Sequence, residues 1–438
     1  MLIRLFGKNF RSLKAPFELS LVAADLTRPE DQTRGVIKVP LDGTNEPLHL
    51  LRVVAIYGHN GSGKSTVLTA ANALRWLIRS SSRYGEPGSS IPPYEPFLLD
   101  SANREASVTL GCDVVHQRAV LRYEVCYRQK IIESERLTLI EGGGAETPLI
   151  DRHLKSPIRG MLIEQSESNQ LYVKEMQPNV TVLAKLAQHG PSKGPDSVRP
   201  YHLSLVKSLR HVDFCTHASG AMPVGFDNQR EQFASDEKYR QWIMNHLMLE
   251  ADVGIKDVKT SREDAKYPEF IRKLASSGNE MTLPEQEVIV SFIHRGRDSR
   301  EIEFDLESAG TKKLFGLAEH WWRLAHKETC LFADELSASL HPRLLDALVR
   351  GVNDSSSGRV PSQLIFATHD AGLMESRDGK AAALRRDQIY FTSKDDEGAS
   401  ELYALAEFKD SARPVHNLRK RYLSGVYGAV PTVEELPL

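Results

Sequence analysis

The run Leu51-Arg52-Val53-Val54-Ala55-Ile56 leads straight into Tyr57-Gly58-His59-Asn60-Gly61-Ser62-Gly63-Lys64-Ser65-Thr66. A buried strand that ends in three glycines and then a lysine, a serine and a threonine is suited to phosphate. Gly58, four residues, Gly63, Lys64 and Ser65 complete the P-loop pattern. The glycines let successive backbone N–H groups turn inward into an anion-binding concavity. A helix beginning near Lys64 adds the positive end of its dipole. Lys64 can reach the β- and γ-phosphates of a nucleoside triphosphate, and Ser65 can ligate Mg²⁺. The following segment is helical by spacing, with Val67, Leu68, Ala71, Leu74 and Leu77 as its core face.

The rest of the composition narrows the setting. A chain of 438 residues has room for two or three domains. A formal charge of -2 argues against bulk adhesion to nucleic acid but leaves room for a local basic groove. Cys112, Cys126, Cys215 and Cys330 form no C-x-x-C pair, so a disulfide framework or zinc site is not expected. No segment approaches the ~20 apolar residues of a membrane helix, and the start carries no signal-peptide core. A cytoplasmic location and no membrane partner are expected.

Alternation over residues 1–25 predicts a hairpin turning near Arg11–Pro16. Residues 26–48 read as loop. Residues 107–139 read as several antiparallel strands, and residues 150–300 as mixed but mainly helical, with a strand pair in Gln286–Gly296 and Arg300–Leu306. No sustained heptad repeat is present there. Strands return at Glu328–Glu335 and Ser362–Asp370 with a helix between them, a parallel crossover. A last strand spans Asp387–Lys394.

Three further motifs fit the P-loop. The apolar strand Cys330–Ala333 ends in Asp334 and Glu335. Asp334 would hold the Mg²⁺ hydration shell, and Glu335 would orient or deprotonate the attacking water. His369 follows the next strand, placed to meet the γ-phosphate and the water. Ser308, Ala309 and Gly310 precede a helix expected from about Thr311, a second anion-binding start.

P-loop, Ser-x-Gly helix start, Asp-Glu, then His is the motif order of the ABC-type ATPases. "DELSASLHP", "ESAGT", "ATHD" and the early "KNFRS" resemble the non-transporter branch. That branch holds OLD-like and abortive-infection ATPases and their SMC-like and RecF-like relatives. The C-terminal stretch "LRRDQIYF…LRKRYLSGVYGAVP" resembles the RloA- and AbiL-type AAA ATPases of phage-defence islands. The resemblance implies an α/β fold: a P-loop ABC-type ATPase head with an antiparallel β-subdomain and an inserted, mainly helical segment. The expected division is 1–140, the lobe with the P-loop and β-subdomain; 141–300, the helical insertion; and 301–438, the lobe with the signature, the Asp-Glu pair and the histidine switch.

The same resemblance implies a shared site. Ser308 and Gly310 of one chain would face Gly61, Lys64 and Ser65 of its mate, and Gly58, Asn60, Ser62, Gly63 and Thr66 would complete the nucleotide cradle. Two Mg-ATP would be sandwiched in a homodimer or higher oligomer, with Ser65 and Asp334 on the metal and Glu335, His369 and Lys64 catalytic. The "NFRS" resemblance sets Arg11 beside the phosphates. Two departures stand out: Ala309 replaces a signature glycine, and His341 takes the place of a D-loop aspartate. The Q-loop glutamine has no clear match, and the "PPYEPFLLD" region is where it belongs.

Three roles compete. The expected one is a defence or sensor ATPase controlling a separate effector, a Toprim-like or HNH nuclease or another toxin, with DNA or a phage protein as trigger. No nuclease is expected in this chain. The second role is a RecF-like or SMC-like repair ATPase binding DNA through basic runs: Arg295, Arg297 and Arg300; Arg385 and Arg386; Arg419, Lys420 and Arg421. The third, a transporter motor, suits neither the insertions nor the length.

Overall fold

Alternation builds the first sheet. In the computed structural model, which describes residues 1–24, 34–84, 86–213, 226–251, 254–264, 286–296, 300–337, 340–354, 359–376, 379–408 and 417–431, β1 (Leu2–Lys8) and β2 (Phe17–Ser20) form the expected antiparallel hairpin. Next, β3 (Val36–Val39) and β4 (Leu48–Leu51) pair antiparallel. The first of these falls within the stretch expected to be loop. It has four residues between Gly35 and Pro40, too few for a period of two to register. Then β5 (Val53–Tyr57) is buried at every position, and the helix Lys64–Tyr84 follows the P-loop. Val67, Leu68, Ala71, Leu74 and Leu77 are all fully buried on it.

The antiparallel meander comes next: β6 (Val108–His116), β7 (Ala119–Arg128), β8 (Ile131–Ile140) and β9 (Glu146–His153). With the N-terminal hairpin they form one sheet, ordered β2-β1-β6-β7-β8-β9. A buried carboxylate fastens this sheet to a helix. Glu135, fully buried, accepts from the backbone N–H of Val182 at 2.6 Å and of Leu183 at 3.0 Å, and from the Tyr123 hydroxyl at 3.0 Å. It thus fills donors that the first turn of the helix Val182–His189 cannot fill itself. Burial pushes the Glu135 carboxyl above its ordinary range, while Arg152 and the backbone donors oppose that shift. The helix Arg199–Ser208 then leads to β10 (Arg210–Asp213).

The chain divides into two compact units. One comprises Phe214–Arg323 and Ala338–Leu344. Its described helices include Phe226–Ser235 and Glu237–Ile243, the latter continued by a π-turn over Met244–Met248, and most of Ala309–His326. Its sheet joins β11 (Ile255–Asp264), β12 (Gln286–His294) and β13 (Glu301–Glu303), ordered β11-β12-β13 and antiparallel. The last two are the expected strand pair. The sequence gives little sign of β11, because only Ile255 of its ten residues is buried. Phe233, Phe292, Phe304 and Phe315 pack as an aromatic core, with Phe315 5.0 Å from Phe233 and 5.2 Å from Phe304 between ring centres.

The other unit comprises Met1–Asp213, Leu324–Ser337 and Leu345–Leu438. Its second sheet is completed by β14 (Cys330–Asp334), β15 (Gln363–Ala367), β16 (Ile389–Lys394) and β17 (Ser400–Ala404). The order is β10-β14-β15-β5-β16-β17, parallel except for the last strand. β5, β14 and β15 read as near-continuous apolar runs, as a parallel sheet covered on both faces requires. The register pairs Ala333 with Phe366, Ala367 with Ile56, and Phe391 with Tyr57. The carboxyl ends of β14, β15, β5 and β16 therefore reach one edge together, the usual ligand edge of such sheets. The C-terminal tail anchors this edge: Tyr422 and Tyr427 stack on Phe391 at 5.6 and 5.1 Å, and Tyr422 meets Tyr57 edge-on at 5.5 Å. No helix among the described residues is long and apolar enough to cross a membrane. Cys112, Cys126 and Cys330 are free thiols, while Cys215 lies outside the described residues.

Candidate nucleotide-binding site

The P-loop backbone takes the conformation its glycines permit. Gly61 and Gly63 have φ of +78° and +111°, values that L side chains avoid. Around Gly61 the space a Cβ would enter is open. Gly58 and Gly63 instead rest on the C-terminal hairpin. A Cβ at Gly58 would collide with Thr392 Oγ1 and come within 2.5 Å of Ser62 Oγ; one at Gly63 would come within 2.5 Å of Ser400 Oγ. Ser62 and Thr392 share a hydroxyl hydrogen bond of 2.6 Å, and Thr392 also donates to the Tyr57 carbonyl at 3.3 Å. The loop is thus held from below while its Gly61 face stays open.

Lys64 is largely buried and donates to the carbonyls of Gly58 and His59, both at 2.9 Å. Burial lowers its pKa, and the charges of Asp334 and Glu335 work against that shift. Asp334 ends β14 and Glu335 follows it, where the sequence reading puts them. Glu335 donates its backbone N–H to Asp334 Oδ1 at 3.0 Å and holds φ at +49°, a left-handed conformation unusual for a glutamate. His369, just past β15, is exposed overall. Desolvation by the sheet edge, followed by the charge of Lys64, still holds its pKa below the ordinary value, against the pull of Glu335 and Asp334. The charges of Asp334 and Glu335 thus reach both Lys64 and His369 at the ends of three adjacent strands.

A cavity of about 320 Å³ opens against the loop, lined by Gly61, Gly63, Lys64, Ser65 and Thr66. Arg11, Ser12 and Lys394 complete its wall. The N-terminal turn is fixed there by Ser12, whose hydroxyl bonds Thr66 Oγ1 at 3.1 Å and whose carbonyl accepts from Ser400 N at 2.7 Å. Arg11 lies at the cavity with φ of +50°, its guanidinium forked onto Glu95 at 2.6 and 3.1 Å. Glu95 belongs to the segment expected to hold a Q-loop glutamine; the residue facing Arg11 is a carboxylate. The sequence reading does not find Ser12, Thr392, Ser400 or Lys394. The signal for Lys394 is its place at the end of a strand of the P-loop sheet, and for Ser12 its place within the "NFRS" run.

Ser308 and Gly310 belong to the other compact unit. Ser308 caps the helix Ala309–His326 by accepting from Thr311 N at 3.1 Å, the local geometry expected of it. His341, in the same unit, accepts from Arg343 N through Nδ1 at 3.2 Å. Of the basic runs, Arg385 is no surface residue: it is buried, forks onto Asp387 at 2.9 and 2.6 Å, and donates to the Arg34 carbonyl. Arg419 pairs with Glu375, and Arg297 lies outside the described residues.

Residues 223–375 match the family described as "AAA domain, putative AbiEii toxin, Type IV TA system". That span contains Ser308, Gly310, Asp334, Glu335 and His369 but not the P-loop. No curated protein matches the chain. Among solved structures, the chain is similar to the SMC head domain from Thermotoga maritima, with 15% identity, 92% of this chain and 98% of that one covered, and a TM-score of 0.39. It is also similar to an Smc head bound to the C-winged helix domain of ScpA, at 14% identity, 93% and 99% coverage, and a TM-score of 0.42. A third is the Smc head domain with an extended coiled coil from Pyrococcus furiosus, bound to the C-terminal domain of ScpA, at 12% identity, 97% and 99% coverage, and a TM-score of 0.40.

Proposed function

We propose that the chain binds and hydrolyses ATP as the sensor or scaffold subunit of an anti-phage system, dimerising around the nucleotide and controlling a separate effector. The observation that carries the ATPase part is the joint placement of the P-loop, Lys64, Asp334, Glu335 and His369 at one sheet edge, where the charges of the two acids reach both Lys64 and His369. The glycine cradle and the largely buried ammonium suit a polyphosphate. The defence setting is supported by the abortive-infection resemblance of the motifs and by the toxin–antitoxin family matched over residues 223–375.

In this reading the loop N–H groups and the helix start hold the phosphates, and Lys64 exchanges its carbonyl partners for the β- and γ-oxygens. Ser65 and Asp334, a hydroxyl and a carboxylate, are hard oxygen donors of the kind Mg²⁺ accepts alongside phosphate and water, and bound Mg²⁺ would offset charge on the triphosphate. Glu335 aligns the attacking water and takes its proton. His369, neutral near pH 7, bonds the terminal phosphate. Ser308 and Gly310 of a second copy close the site, so ATP joins two chains and hydrolysis parts them.

The test is mass measurement by light scattering with and without Mg-ATP. Glu335→Gln should form a stable dimer with ATP, and Lys64→Ala should not respond. Ser308→Arg should bind ATP yet stay monomeric. A monomer that turns over ATP at full rate at every concentration would refute the shared site. Affinity purification of the Glu335→Gln dimer should bring down the effector.

A further inference from the structure

The P-loop cavity has a wall that no phosphate motif supplies. It is the end of β16, where Lys394 stands two residues beyond Thr392. The hairpin carrying it is fixed to the loop on both strands. Thr392 bonds Ser62, and Ser400, the register partner of Lys394, lies against Gly63. Lys394 therefore has a defined backbone position beside the cradle and an exposed side chain on the cavity.

Its charge is uncommitted where its neighbours' charges are not. Arg11 is held by Glu95, and Lys14 by Asp100 and Glu397. Asp395, next in sequence, accepts from Ala399 N at 2.7 Å. Among the described residues Lys394 has no acid within salt-bridge distance. A lysine left without an acid at the mouth of an anion site is a ready phosphate ligand.

Sheet order decides which phosphates it meets. Asp334 and His369 follow β14 and β15 on one side of β5, while Lys394 follows β16 on the other. The groups that act on the terminal phosphate thus occupy the opposite flank. Resting on the nucleotide-site reading above, we propose that Lys394 binds the phosphates that are not transferred, the α- and β-groups of ATP, and is a positioning residue that serves ATP and ADP alike.

Calorimetric titration of the full chain with Mg-ATP and Mg-ADP tests this, in wild type, Lys394→Gln, Lys394→Arg and Lys64→Ala. Lys394→Gln should weaken both nucleotides by about tenfold, the loss of one charge-assisted phosphate contact. The ratio of ATP to ADP affinity should not move. KM should rise while kcat at saturation stays within about twofold, and Lys394→Arg should recover most of the affinity. Wild-type binding of both nucleotides by Lys394→Gln would overturn the assignment, as would loss of ATP affinity alone or failure of arginine to restore it. Normal binding by Lys64→Ala would instead sink the nucleotide site itself, a separate result.

Discussion

Ser62 Oγ and Thr392 Oγ1 lie 2.6 Å apart although 330 residues separate them in the chain. The P-loop is therefore shaped partly by the C-terminal hairpin. Thr392→Val keeps the shape but leaves the fully buried Ser62 hydroxyl without this partner. Stability should fall by about 1–3 kcal/mol, read as a lower urea midpoint, with weaker ATP binding.

Gly58 and Gly61 should fail differently. Gly58→Ala forces a methyl into Thr392 and Ser62. It should cost about 1–3 kcal/mol through overpacking and lower the melting temperature. Gly61→Ala meets open space but keeps φ near +78°. It should cost only about 1 kcal/mol, yet it narrows the approach to the backbone, so ATP affinity should suffer more than melting does. Equal losses in both assays for both variants would contradict this.

Glu335 combines a catalytic assignment with left-handed backbone, φ +49°. Glu335→Ala and Glu335→Gly remove the same carboxylate. The glycine variant should be the more stable by about 1 kcal/mol, since it tolerates that conformation without a Cβ clash. Both should lower turnover by about 100-fold or more, with ATP affinity retained. An alanine variant as stable as the glycine variant would argue that the strain is absent in solution.

His369 carries a share of the pH dependence, alongside the likewise depressed His116, His189 and His202. Its folded pKa lies below the ordinary 6.5, through desolvation first and Lys64 second. Between that depressed value and 6.5 the unfolded chain binds a proton that the folded chain does not, so stability falls as pH drops through this window. Histidine NMR titration should place His369 below 6.5, and Lys64→Ala should move it upward. His369→Gln should remove this share of the acid sensitivity and lower turnover. A His369 titration unaffected by Lys64→Ala would separate the two groups.

The strands of the P-loop sheet are legible because burial on both faces leaves unbroken apolar runs, and each ends in a residue with evident chemistry: Lys64 after the loop, Asp334, His369. The meander of β6 to β9 is legible because its strands alternate. Strand β11 is not, since a mostly exposed strand resembles a polar loop, and β3 is too short for any period. The role of Thr392, Ser400 and Lys394 is hidden for another reason. Nothing local marks a threonine, a serine or a lysine as a neighbour of a glycine more than three hundred residues away; only strand order does. Arg385 shows the converse. Two adjacent arginines suggest a basic surface until a buried aspartate two residues on claims one of them.

Strand β5 hydrogen-bonds to β15 on one edge and β16 on the other, and both arrive late in synthesis. A ribosome that has just released the P-loop has released a strand with two bare edges. At about 5–20 residues per second, residues 363–394 follow on the order of half a minute later. Until then the glycine loop has no Thr392 or Ser400 beneath it. A chain cut short before residue 392 would carry the P-loop without the hydroxyls against which Gly58, Ser62 and Gly63 rest.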